Sequence, residues 1–86
     1  MPELQPQFEA AAAAAKQLRK RPDNESMLQL YAFYKQATSG DVSGKRPGFT
    51  DPVGRAKYDA WAKCQGLSQA AAMQSYIELV SRLQKA

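Results

Sequence analysis

Apolar residues return at three- and four-residue steps in four stretches of this chain, and no stretch alternates convincingly as a half-buried strand does. The first stretch predicts a helix over Pro6–Lys20, with Leu4, Phe8, Ala11, Ala15 and Leu18 on one stripe. That stripe is mostly alanine, which lets a neighbouring helix approach closely. Arg19, Lys20 and Arg21 are expected in its last turn, where cations suit the helix dipole, with Pro22 ending it. A second helix is predicted from Asp23 or Asn24 to Ser39. Met27, Leu30, Phe33, Tyr34 and Ala37 form its core arc, and Leu28, Tyr31 and Lys35 form a flanking stripe. Gly40 is a natural stop.

The next segment, Gly40 to Pro52, carries glycine at 40, 44 and 48 and proline at 47 and 52, a pattern of loop rather than helix. A loop this long in a compact domain is functional or disordered, and Phe49 is expected to anchor it against the bundle. A third helix is predicted over Pro52–Gln65, with Asp51 as cap and Pro52 at the first position. Ala60, Trp61 and Cys64 face inward, and Lys57 lies on the same side, one turn before Trp61. The fourth helix runs from a Ser68 cap to Lys85 with Met73, Tyr76, Ile77, Val80 and Leu83 as its core stripe. The fold class is therefore all-α, one domain over residues 1–86.

Composition narrows the chemistry. There is no histidine, and Cys64 is the one cysteine. An intrachain disulfide, a Cys/His zinc site and a histidine-activated nucleophile are all excluded. The eight carboxylates show no paired spacing on one face, so neither an enzyme nor a metal site is expected. No apolar run reaches the roughly 20 residues that span a bilayer. Ala10–Ala15 is too short for a signal-peptide core, and the residues before it lack a basic region. These features predict a soluble cytoplasmic protein. The net charge of +4 and pI of 9.4 favour anionic partners.

The informative segment is Tyr31-Ala32-Phe33-Tyr34-Lys35 together with Lys57-Tyr58-Asp59-Ala60-Trp61. In both, a lysine shares a helix side with aromatic rings. A packed core needs the rings and has no use for the lysines. An anionic aromatic ligand needs both, stacking surface and phosphate donors together. Lys57 reads either as a stem that packs while its ammonium reaches water, or as a phosphate contact at a pocket mouth. Lys16 beside the alanine stripe is either solvated or the guard of a groove. Tyr76 is the polar-tipped member of the fourth helix's stripe.

From Phe8 onward the sequence resembles the acyl-CoA-binding proteins, also known as the diazepam-binding inhibitor family. The resemblance rests on Met27-Leu28, Leu30-Tyr31-x-x-Tyr34-Lys35-Gln36-Ala37-Thr38-x-Gly40-Asp41, Arg46-Pro47-Gly48, Ala56-Lys57-Tyr58-Asp59-Ala60-Trp61, Gly66-x-Ser68 and Ala72-Met73-x-x-Tyr76-Ile77. It covers nearly the whole chain. It implies a four-helix up-down-down-up bundle with a long connection between helices 2 and 3, a fatty-acyl-CoA ligand, and no other cofactor. By the family pattern Tyr31, Lys35 and Lys57 hold the adenine and 3′-phosphate, and Tyr34 joins the adenine and pantetheine environment. Tyr76 touches the ligand from helix 4 and Lys16 from helix 1. Met27 and Leu28 meet the acyl chain, and Ala32 and Phe33 complete the binding segment. The sequence departs from the pattern at Val53, where many members carry lysine, leaving Arg55 as the candidate for that phosphate contact. Tyr58 stands where tryptophan is more usual.

The implied function is one-to-one binding of long-chain acyl-CoA by a monomeric carrier, with at most transient membrane or enzyme contacts for ligand delivery. A nucleic-acid-binding domain is disfavoured because the basic residues are spread over all four helices rather than gathered on one face. A partner-binding module that kept the fold without tight ligand binding is the alternative.

Overall fold

The structure, a computed structural model, describes residues 3–85; the readings that touch Met1, Pro2 and Ala86 lie outside the described residues. Four helices form, α1 over Leu4–Ala15, α2 over Asn24–Ser39, α3 over Pro52–Ala62 and α4 over Gln69–Lys85, and no strand occurs among the described residues. Three of the starts are set by side-chain caps. Asp23 accepts from the Ser26 N–H at 2.8 Å, Asp51 from the Gly54 N–H at 3.0 Å, and the Ser68 hydroxyl oxygen from the Ala71 N–H at 3.0 Å. Gly40 ends α2 with φ of 82°, a conformation a side chain would resist.

α1 is displaced from its expected bounds. It starts two residues earlier, at Leu4, and ends at Ala15 rather than Lys20. The backbone tightens there: the Lys16 and Gln17 N–H groups bond back three residues, to Ala13 and Ala14. Arg19, Lys20 and Arg21 consequently lie in the connection, not in a last helical turn. The reason is distance. α1 packs on α4, and α2 packs on α4 without its backbone touching α1. A connection that must cross to it gains more reach per residue extended than helical. α3 likewise stops at Ala62, and residues 63–66 form turns.

The helices stand in a row, α1 on α4, α4 on α2 and α2 on α3, in a slab of 40 × 29 × 15 Å. Gln84 of α4 shares a hollow with Ala14–Arg19, so α1 and α4 finish at one end. The starts of α2 and α3 share a groove at that end, and the Gln36 amide reaches Leu67 just before α4 at the other. This is the expected up-down-down-up bundle.

Its core joins Phe8, Ala11, Ala37, Ala72, Tyr76 and Val80, with alanines at the helix contacts. Leu79 is buried too, although the periodicity left it out. Met27 and Tyr34, placed in the core arc of α2, are instead 39% and 43% exposed. Both face the hollows described below.

The long loop is held by polar bonds rather than by Phe49, which is 82% exposed. The Trp61 indole N–H donates to the Gly40 carbonyl at 2.8 Å and the Tyr58 hydroxyl to the Gly44 carbonyl at 3.0 Å. Arg46 grips Asp59 with two bonds of 2.8 and 2.7 Å. Gln36 is fully buried, and its amide nitrogen donates to both Asp41 and the Leu67 carbonyl at 2.8 Å. Asp41 also accepts from the Gly66 N–H at 2.8 Å. These bonds fix both loops against the lower end of the bundle, which leaves the upper end open.

Candidate functional site

α1 and α2 both pack on α4, and their backbones do not touch. Three rings fill the gap. Phe8 of α1 stacks on Tyr34 of α2 with centroids 5.5 Å apart, and Tyr76 of α4 meets Phe8 edge-on at 5.1 Å. Above Tyr76 is a hollow of about 310 Å³ lined by Ala12, Ala15 and Lys16 from α1 and by Leu30, Tyr31 and Tyr34 from α2. The small alanine side chains keep this hollow open, so the stripe that packs α1 on α4 also leaves room for a planar group. Burial, and then Tyr34 nearby, pushes the Tyr76 phenol above its ordinary range, so it is a neutral hydrogen-bonding group at physiological pH.

A second groove of about 450 Å³ opens between the starts of α2 and α3. Met27, Leu28, Pro52, Val53 and Ala56 give it apolar walls, with Arg21, Asn24 and Lys57 at its edges. Val53, where a lysine was anticipated from the resemblance, is 64% exposed at this wall.

Lys57 joins the two. It lines the apolar groove while its ammonium nitrogen lies 5.4 Å from the centroid of Tyr31, a wall of the aromatic hollow. Lys35, one turn along from Tyr31, places its ammonium 4.8 Å from the Trp61 ring. Among the described residues neither lysine has a carboxylate partner. Each rests on an aromatic face, worth about 0.5–1 kcal/mol where exposed.

The remaining sequence-selected residues fall elsewhere. Ala32 and Phe33 line a cleft on the other side of the α2–α3 seam, with Leu28, Gln29, Ala56, Ala60, Lys63 and Cys64. Arg55 does not line the apolar groove; its Nε is buried without a partner, and its charge acts on Asp59. Cys64 is half-buried, and burial pushes its thiol pKa up, which leaves it the unreactive form. Arg21 and Val53 were not selected as ligand contacts from sequence, because Arg21 reads as a cation complementing a helix end and Val53 as the loss of a lysine. Among the described residues there is no cluster of three potential metal ligands, and no helix is long and apolar enough to cross a membrane.

An aromatic hollow and a neighbouring apolar groove, linked by the Lys57–Tyr31 contact, are surfaces of this helical bundle that suit an amphiphilic anion. The family is equally plain: the chain belongs to the acyl-CoA-binding proteins, whose family model, described as Acyl CoA binding protein, matches residues 5–80. It is 49% identical over 77 residues to a Drosophila melanogaster acyl-CoA-binding protein homolog, covering 90% of each chain. It is 46% identical over 80 residues to acyl-CoA-binding domain-containing protein 4 of Rattus norvegicus, of which it spans 24%. Among solved structures, the Oryza sativa acyl-CoA-binding protein 2 superposes with a TM-score of 0.92 at 44% identity, covering 95% of this chain and 89% of that one. ACBP from Moniliophthora perniciosa gives 0.88 at 36% identity, covering 94% and 80%.

Proposed function

We propose that the protein binds long-chain fatty-acyl-CoA thioesters one-to-one and serves as a monomeric cytoplasmic carrier and buffer, making and breaking no bond. Residues 1–86 would form a single binding domain. The observation that carries this reading is the Lys57–Tyr31 contact, where the aromatic hollow and the apolar groove meet. A CoA ester has a matching division, with an adenine ring and phosphates at one end and an alkyl chain at the other.

In this arrangement Tyr31 and Tyr34 face the adenine over Tyr76, and Lys35 and Lys57 turn from their rings to the phosphates. Lys16 approaches from α1. Charge-assisted bonds of this kind contribute about 1.5–3 kcal/mol each. Met27 and Leu28, with Val53, cover the acyl chain. Ala32 and Phe33 act from behind the seam by holding α2 on α3. Arg55, one turn from Asp59 on α3, would add its charge to the phosphate contacts in place of the lysine that Val53 replaces. Burying roughly eight methylenes at about 0.8 kcal/mol each contributes about 6 kcal/mol, or some four decades of affinity. The long chain therefore separates the ligand from free CoA.

Thermal unfolding tests the reading. A ligand present at about 100 times its Kd stabilises the folded state by about 2.7 kcal/mol. Palmitoyl-CoA below its micelle concentration should raise Tm clearly, and equimolar CoA or palmitate should raise it little. An unchanged Tm with the thioester would favour a partner-binding module that has kept the fold.

A further inference from the structure

The α2–α3 seam has a second face to which no ligand has been given. The cleft behind it measures about 470 Å³, as large as the apolar groove in front. Its wall is Leu28, Ala32, Phe33, Ala56, Ala60 and Cys64. Phe33 stands about 200° round α2 from Tyr31, so this rear cleft opens on the side away from the aromatic hollow.

The chemistry of the rear cleft suits hydrocarbon. The one polar side chain in its wall is the Cys64 thiol, which already donates to the Ala60 carbonyl at 3.7 Å. The wall backbone belongs to α2, α3 and the turn after α3, where Cys64 bonds to Trp61 and Leu67. A polar ligand finds no partner there, and burying one unpaired is costly. At the rim Glu25, Gln29 and Lys63 are exposed, and Asp59 is held by Arg46 at 2.7 and 2.8 Å. The cleft is also not isolated. Leu28 and Ala56 line both it and the apolar groove, so these two side chains are the partition between them. Ala56 contributes a single methyl to that partition. Leu28 is half-buried and has other staggered rotamers to turn into.

We propose that the rear cleft takes the far end of very-long-chain acyl groups, which leave the apolar groove by crossing the seam at Leu28 and Ala56. The proposal rests on the acyl-CoA reading and extends it to chain length. Each methylene buried in the rear cleft tightens binding about fourfold. Affinity therefore keeps rising after the apolar groove is full, and Ala60 and Phe33, which line only the rear cleft, set how far.

Cys64, the single cysteine, reports on the cleft directly. It lies about 12 Å beyond Ala56 along the seam, so only a chain that has crossed can cover it. Binding of myristoyl-CoA and docosanoyl-CoA is first measured by titration below their micelle concentrations. Saturating docosanoyl-CoA should then slow the reaction of Cys64 with N-ethylmaleimide at least about fivefold, and saturating myristoyl-CoA should change it less than about twofold. Because both ligands stabilise the fold, the difference between them reads the cleft and not general protection. Ala60→Leu narrows the rear cleft and lines no other hollow. It should weaken docosanoyl-CoA about tenfold and leave myristoyl-CoA within about twofold. If the two bound thioesters shield Cys64 equally, or neither shields it, the proposal is overturned and the acyl-CoA reading stands. Undiminished docosanoyl-CoA binding by Ala60→Leu has the same meaning. Binding of neither thioester by the wild-type protein overturns both.

Discussion

The ammonium of Lys57 sits 5.4 Å from the centre of the Tyr31 ring, so a residue of the apolar groove touches a wall of the aromatic hollow. Among the described residues Lys57 has no carboxylate partner, and Tyr31 lies outside the core cluster. Truncating either member should therefore leave the fold intact and weaken the ligand. Lys57→Ala and Tyr31→Ala should each reduce acyl-CoA affinity by more than about 1.5 kcal/mol, more than tenfold, which is the scale of a charge-assisted bond or a stacked base. Titration of the two variants checks this. Wild-type affinity in both would mean that the ligand lies elsewhere.

Lys35 and Trp61 form the second such pair, at 4.8 Å. If a phosphate draws the ammonium away from the indole, the emission of Trp61, the single tryptophan, should change as the ligand binds. In Lys35→Met the free protein should already show the altered emission, and the ligand should add little. An unaltered spectrum in the variant, with the full wild-type response to ligand, would break the link.

Gln36 predicts stability rather than binding. It is fully buried, and its amide nitrogen is satisfied by Asp41 and by the Leu67 carbonyl, both at 2.8 Å. Asp41→Ala removes one of these and frees the Gly66 N–H as well. Urea unfolding should register a loss of about 1–3 kcal/mol, the cost of leaving such groups unpaired. Phe49→Ala, at an 82% exposed position, should stay within about 0.5 kcal/mol of wild type.

Acid should act through the same loop. The Gly66 N–H, and then the Gln36 amide, hold the Asp41 carboxyl below its usual 3.8; the Arg46 guanidinium does the same for Asp59. Folded-state pKa values that lie below the unfolded ones mean that the unfolded chain takes up protons first. The stabilisation is complete above the ordinary carboxylate range and is lost as pH falls through the folded values. With no histidine, stability should vary little between about pH 5 and 8 and drop below about pH 4. Urea midpoints across that range check this, and Asp41→Asn should flatten part of the drop.

The elements most legible in the sequence were those with local signals. α2 occupies Asn24–Ser39 because Asp23 caps it and Gly40 stops it, and both residues announce themselves. Pro52 opens α3 for an equally local reason. The end of α1 was not legible, since it is set by the span to α2 around α4 and not by any residue at Ala15. Phe49 and Gln36 show the same limit in opposite directions. Polarity put the phenylalanine inside and left the glutamine unremarked, yet partners distant in sequence, Leu67 and Asp41 among them, decide that Gln36 is buried. For the site, the lysine–aromatic spacing singled out Tyr31, Lys35 and Lys57, and in the structure Lys57 lies over Tyr31 and Lys35 over Trp61. It could not show that Ala32 and Phe33 line the cleft on the other side of the seam, because that depends on how α2 and α3 rotate against each other.

Calorimetric titration with palmitoyl-CoA, with free CoA and free palmitate alongside, tests the central claim most directly. The account predicts tight one-to-one binding of the thioester, with both fragments weaker by several decades. Equal affinity for CoA and palmitoyl-CoA would contradict the role of the Met27–Val53 groove, and no heat with any of the three would contradict the carrier itself.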